Sequence, residues 1–144
     1  MGARTTAREA ALQMLFAIDA TGSDVEQAIL DFWRELPGDA EDRPYADQLV
    51  RGVRENLEQL DERIRAASQN WRIERMARID RNALRLGTYE LSMHSDVPRA
   101  VILDEAVELA KRFGSEESSK FVNGVLDRIA EDMGRKDTDQ VPAG

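Results

Sequence analysis

The chain has 144 residues, no cysteine and a net charge of −8. That length suits one domain, or one core shared by two small halves, and the missing cysteine excludes a disulfide scaffold, a thiolate metal site and a cysteine nucleophile. With 28 acidic against 20 basic residues, the composition speaks against a generic nucleic-acid binder, whose surface is usually net basic, unless the charges are unevenly placed.

Apolar residues recur at helical spacing almost throughout. Thr6 and Glu9 form a candidate capping box ahead of Ala7, Ala11, Met14, Leu15 and Ile18, and Thr21-Gly22 should end this helix. Ser23 and Glu26 repeat the box before Val25, Ile29, Phe32, Trp33 and Leu36, with Pro37-Gly38 as the stop. Residues 37–44 read as a polar loop, and Pro44 suits the first turn of the next helix. The longest amphipathic run, Tyr45, Leu49, Val53, Leu57, Leu60, Ile64 and Ala67, predicts one continuous helix ending at Ser68-Gln69-Asn70.

Trp71, Ile73, Met76 and Ile79 read as a short helix or turn. Asp80 is a candidate cap for a helix carrying Ala83, Leu84, Leu86, Tyr89, Leu91 and Met93, with Gly87 inside it. An interior glycine costs roughly 1 kcal/mol against alanine, so close helix packing would account for it. Pro98 opens a helix burying Val101, Ile102, Ala106, Leu109, Ala110 and Phe113, and Gly114 stops it. Ser115 caps the last helix, whose inward face is Phe121, Val122, Val125, Leu126, Ile129 and Met133. Gly134 ends that helix, and 135–144 reads as a flexible polar tail. The prediction is an all-α fold of six or seven helices in a domain over 1–134, with subdomains of about 1–70 and 71–134.

Charge is uneven. Residues 21–47 carry two basic and eight acidic side chains, a net −6, whereas 71–95 carry five arginines and three acids. Arg4 and Arg8 lie one helical turn apart, and Arg72, Arg75, Arg78, Arg81 and Arg85 form a second basic group. No apolar run is long enough to span a membrane, so no membrane partner is expected. The catalytic signals are thin. His94, the only histidine, lies four residues after Glu90 but lacks further ligands, and it reads as a solvent-facing residue at a helix end. Asp104, Glu105 and Glu108 read as a solvated face. No glycine-rich phosphate loop or nucleophile elbow occurs, so a non-enzymatic binder with no cofactor is expected. Asn123 and Gly124 stand out as poor helix formers inside an amphipathic helix. Two readings fit them: Gly124 lets another helix approach, or Asn123, Lys120, Arg128 and Phe121 offer donors and a stacking face to a nucleic acid.

Three blocks resemble the NusB family of bacterial transcription antitermination factors. The most specific is Asp96-Val97-Pro98, Asp104-Glu105-Ala106-Val107-Glu108-Leu109-Ala110-Lys111, Phe113-Gly114 and Lys120-Phe121-Val122-Asn123-Gly124-Val125-Leu126-Asp127. The others are Ile79-Asp80-Arg81-Asn82-Ala83-Leu84-Arg85-Leu86 with Tyr89-Glu90-Leu91, and Ala7-Arg8-Glu9-Ala10-Ala11-Leu12-Gln13-Met14-Leu15-Phe16. The resemblance implies two small helical subdomains. It also implies binding of boxA RNA, a single-stranded element of nascent transcripts, and pairing with NusE, a small-subunit ribosomal protein, in an antitermination complex on RNA polymerase. No reaction is implied, and the family includes monomers and homodimers.

Carried onto this chain, the RNA-binding residues are Arg4, Arg8, Phe16, Glu117, Ser118, Lys120, Phe121, Asn123, Asp127 and Arg128. The NusE surface is Glu74, Arg75, Asp80, Leu84 and Arg85, where the arginines could equally serve internal ion pairs. Two basic patches, on the first and last helices, are expected to come together around the strand. Thr5 and Thr6 stand where some relatives carry further arginines, which implies weaker and less salt-sensitive RNA binding. The alternative is an acidic helical adaptor that binds only proteins, resting on the −6 segment. A third reading is the appendage that precedes RNA cytosine methyltransferases, but no cofactor-binding strand-loop-helix follows here.

Overall fold

The helices form where the periodicity places them, and local chemistry adjusts their ends. The structure is a computed structural model and describes residues 2–36, 43–69 and 71–136; part of the 37–44 loop and most of the 135–144 tail lie outside these. Among the described residues there are seven α-helices, one 3-10 turn and no strand. None of the helices is long and apolar enough to cross a membrane. Two compact units divide the chain, Met1–Glu55 and Asn56–Gly144.

In the first unit, α1 (Ala3–Thr21) packs on α2 (Val25–Glu35) and α3 (Arg43–Glu55), which also touch each other. The expected inward residues of α1 are buried: Ala7, Ala11, Met14, Leu15 and Ile18. Both expected capping boxes are displaced. Gly2 precedes α1, so Thr6 lies within the helix and its hydroxyl donates back to the Gly2 carbonyl. Asp24, not Ser23, caps α2 by accepting from the Glu26 and Gln27 amides. Gly22 ends α1 in the left-handed conformation, φ 72°, as its position suggests. On the surface Arg51 Nε and Nη2 each donate at 2.8 Å to one Glu26 oxygen. This hydrogen bonding is the largest influence holding the Glu26 carboxyl below its ordinary value.

The second unit is built around α5 (Arg78–Met93), covered by α4 (Leu57–Ser68), α6 (Arg99–Phe113) and α7 (Glu116–Asp132). The run 45–67 is therefore two helices, because the backbone leaves helical geometry at Asn56, φ −110°. Asparagine is a poor helix former, while the apolar period runs on undisturbed through Leu57, Leu60 and Ile64 and conceals the break. This moves the division between units from about residue 70 to residue 56, since α4 packs on α5 and α7. The 3-10 turn at Ile73–Arg75 follows α4. Asp80 lies in the first turn of α5, with Ala77 at the cap position.

Ten consecutive residues of α5, Asn82 to Leu91, are buried, as befits a helix packed on all sides. Gly87 fits the expectation of close packing: a Cβ there would lie 2.7 Å from Leu126 Cδ1 of α7. Arg85 is held by Asp61 of α4, with Nε and Nη2 donating at 2.9 and 3.0 Å, while Nη1 donates to Asn82 Oδ1 at 3.1 Å. Ser115 caps α7 as expected, its hydroxyl accepting from the Ser118 amide at 3.0 Å.

The expected tail begins as an anchor. Arg135 donates to the carbonyls of Leu91 at 2.9 Å and Val97 at 2.6 Å, and its own carbonyl accepts from Arg99 Nη1. His94 also departs from its solvent-facing reading. It is half-buried, with its ring edge-on to Tyr89 at 5.6 Å.

Two stability predictions follow from these pairs. Asp61→Ala strands a buried guanidinium and should cost about 3–5 kcal/mol in urea unfolding, whereas replacing the pair by Leu and Met should recover most of that loss. Glu26→Gln should lower Tm at neutral pH. Because the folded carboxyl titrates below its unfolded value, the pair stabilises above pH 4.5 and that advantage disappears as pH falls through the folded value. The Tm gap between parent and variant should therefore close in acid.

Candidate nucleic-acid interface

The polar end of the second unit is assembled from the C-terminus of α4, the segment after it and the first half of α7. Ser68, the last residue of α4, is buried and fixes the chain beyond it: the Trp71 amide donates to the Ser68 carbonyl at 3.2 Å, and the Ser68 hydroxyl donates to the Trp71 carbonyl at 3.1 Å. Trp71 stands 60% exposed with its ring edge-on to Phe121 of α7, centroids 5.8 Å apart. Arg128 donates at 2.7 Å to the carbonyl of Ala67, satisfying one of the free carbonyls at the end of α4 and tying α7 to it.

Two grooves flank this aromatic pair. The first, about 340 Å³, is lined by Gln69, Trp71, Lys120, Phe121, Gly124 and Arg128 among others. It combines stacking faces with two cations. Lys120 is exposed and only loosely paired with Glu117, at 4.0 Å. Gly124 faces open space, with nothing within 4 Å of an added Cβ, so it admits no neighbouring helix. Of the two readings of Asn123 and Gly124, the helix-approach one is excluded for Gly124, and Asn123 is exposed. The second groove, about 310 Å³, is lined by Trp71, Arg75, Met76, Ala77, Asp80, Glu117, Ser118 and Phe121. Asp80 Oδ1 is buried there with no hydrogen-bond partner among the described residues. An acceptor left unpaired costs about 1–3 kcal/mol.

Several expected site residues have other tasks. Leu84 is fully buried, and Arg85 is consumed by Asp61 and Asn82, so neither belongs to a partner surface. Both lie on the packed stretch of α5. Asp127 is exposed, but its carboxylate accepts from buried Arg99 at 2.6 Å and thereby locks α7 to α6. Glu74 is exposed on the 3-10 turn, where its own backbone amide and then Arg65 hold its carboxyl below the ordinary value.

In the first unit, the Arg4 guanidinium lies 4.6 Å from the centre of the Tyr45 ring, beside a depression lined by Ala3, Pro44, Tyr45 and Gln48. Arg8 reaches the same ring at 5.8 Å but is only 3% exposed, so it is a packing residue more than a phosphate contact. Phe16 is 37% exposed. Sequence reasoning missed Tyr45, which it placed in an apolar run at helical spacing, and Trp71, which it placed only in a short helix or turn. For Trp71 there was a signal: an aromatic residue directly after a helix stop, in a stretch carrying Arg72 and Arg75.

An open aromatic groove flanked by cations, on an all-helical scaffold, defines a binding protein. The NusB family model matches residues 5–131, and the chain belongs to the NusB family. It is 67% identical over 140 residues to the transcription antitermination protein NusB of Sorangium cellulosum, covering 97% of this chain and 100% of that protein. Among solved structures it resembles T. maritima NusB, with a TM-score of 0.82 and 41% identity over 89% of this chain and 90% of that one. It also resembles a complex of the antitermination factors NusB and NusE with double-stranded RNA, with a TM-score of 0.83 and 29% identity over 90% and 97% of the two chains.

Gly124→Ala separates fold from site. With room for the methyl group, the helix should gain about 0.5–1 kcal/mol and Tm should rise by a few degrees, while the methyl group, standing in the groove, should weaken binding of single-stranded RNA there.

Proposed function

We propose that this protein is a non-catalytic transcription antitermination factor that acts in the cytoplasm on nascent transcripts, binding boxA-type single-stranded RNA together with NusE. The observation that carries this reading is the groove of Trp71, Phe121, Lys120 and Arg128, in a chain that belongs to the NusB family. The solved complex of NusB and NusE relatives with double-stranded RNA supports NusE and RNA as partners, while the single-stranded form of the RNA rests on the open groove.

The chemistry has two parts. Lys120 and Arg128 neutralise phosphates, which gives affinity and salt dependence without sequence preference. Phe121 offers a face on which an unstacked base can lie, and Asn123 and Ser118 offer donors and acceptors to base edges. In the first unit Arg4, backed by the Tyr45 ring, and the exposed Phe16 supply a further phosphate contact and a further stacking face. The second groove, with Asp80, Arg75 and exposed Glu74 nearby, is the surface proposed for NusE. Its acidic members suit a basic ribosomal protein.

A titration of boxA RNA against a scrambled RNA, with and without NusE at two salt concentrations, tests this. Affinity should favour boxA, rise with NusE and fall with salt. Lys120→Ala should reduce the salt slope by about 1 while leaving the boxA preference intact. A flat salt response with no sequence preference would overturn the RNA reading, and NusE capture that survives nuclease without any RNA shift would replace it with a protein-only adaptor.

A further inference from the structure

We propose that Trp71 is a base-stacking residue: its indole forms, with Phe121, a slot in the first groove that takes one unstacked nucleobase of the bound strand. This rests on the RNA reading above and extends it to a residue that the sequence placed only in a short helix or turn.

Four observations converge. Trp71 is 60% exposed, in a unit whose other large apolar side chains, Met93 and Val101 aside, are mostly buried, so its indole is not used to fill the core. An exposed tryptophan without a packing role usually marks a recognition surface. Its backbone is held on both sides by Ser68, through the Trp71 amide and the Trp71 carbonyl. A side chain on a pinned backbone loses less freedom on binding than one on a loose loop. Third, the ring meets Phe121 edge-on, 71° between planes, so the two rings present two walls of a corner rather than stacking on each other. Finally, Lys120 and Arg128 line the same groove, and Arg128 pairs with no carboxylate among the described residues. A planar, polar-edged ligand carrying phosphate matches such a corner. An apolar peptide would leave the cations unpaired, and a duplex would keep its bases stacked on each other.

Trp33 is the only other tryptophan, so a Trp33→Phe chain makes Trp71 the sole indole emitter. Labelled boxA-type RNA is titrated into this chain and into the parent, with anisotropy reporting binding and indole fluorescence reporting stacking. Saturation should quench Trp71, and the same sequence as a duplex should not. In the parent background Trp71→Ala should weaken RNA binding by about 10-fold, Trp71→Phe should restore most of it, and Trp71→Leu, which keeps apolar bulk, should not. Saturable RNA binding with no quenching, or equal affinity for the alanine variant and the parent, would overturn the slot while leaving the RNA reading intact. Rescue by leucine as complete as by phenylalanine would reduce Trp71 to packing. If anisotropy shows no RNA binding by the parent, the slot and the RNA reading fall together.

Discussion

The second unit depends on a guanidinium that has nowhere to go but inward. α5 is covered by three helices, and Arg85 lies in the middle of its buried stretch. A buried arginine is tolerated only when its donors are matched, and Asp61 and Asn82 do this with three hydrogen bonds. The pairing fixes where α4 runs along α5. The Gly87 contact with Leu126 fixes how closely α7 approaches. Arg128 then links α7 to the end of α4. The groove beside Trp71 is thus the outer edge of a set of constraints whose centre is an internal ion pair.

This arrangement explains what the sequence disclosed and what it hid. Although Leu36, Met93 and Val101, read on the apolar faces, are exposed, most helix faces were legible because a period of three to four residues survives a local disturbance. For the same reason the break at Asn56 was hidden: Leu57, Leu60 and Ile64 keep the rhythm of the preceding helix. The caps at Gly2 and Asp24 were misplaced by one or more residues, since several neighbouring side chains could each serve and only backbone geometry decides.

The site was partly legible, through the resemblance in α7. Lys120, Phe121 and Arg128 line one groove, and Ser118 and Glu117 line the other. Leu84, Arg85 and Asp127 show the limit of such reasoning. A residue that looks exposed in a motif can be committed to its own fold, and only the three-dimensional partners, Asp61 for Arg85 and Arg99 for Asp127, reveal it. Trp71 shows the opposite limit, because a reading as a short helix or turn says nothing of exposure, and only the structure shows the indole open to solvent. Charge behaves in the same way. The acid excess is concentrated in residues 21–47, so the net −8 never described the cation-lined groove.

The anchoring of Arg135 bears on how the molecule can be handled. Gly134 closes the last helix, φ +80°, and would be the natural place to cut or to join another chain. Yet the next residue's guanidinium closes off the carbonyls of Leu91 and Val97, and its carbonyl serves buried Arg99. A cut at Gly134 would therefore remove these bonds, which are kept only if the chain runs past the end of helical structure to Arg135. A tag, label or fusion partner belongs beyond Lys136, where it leaves those bonds in place.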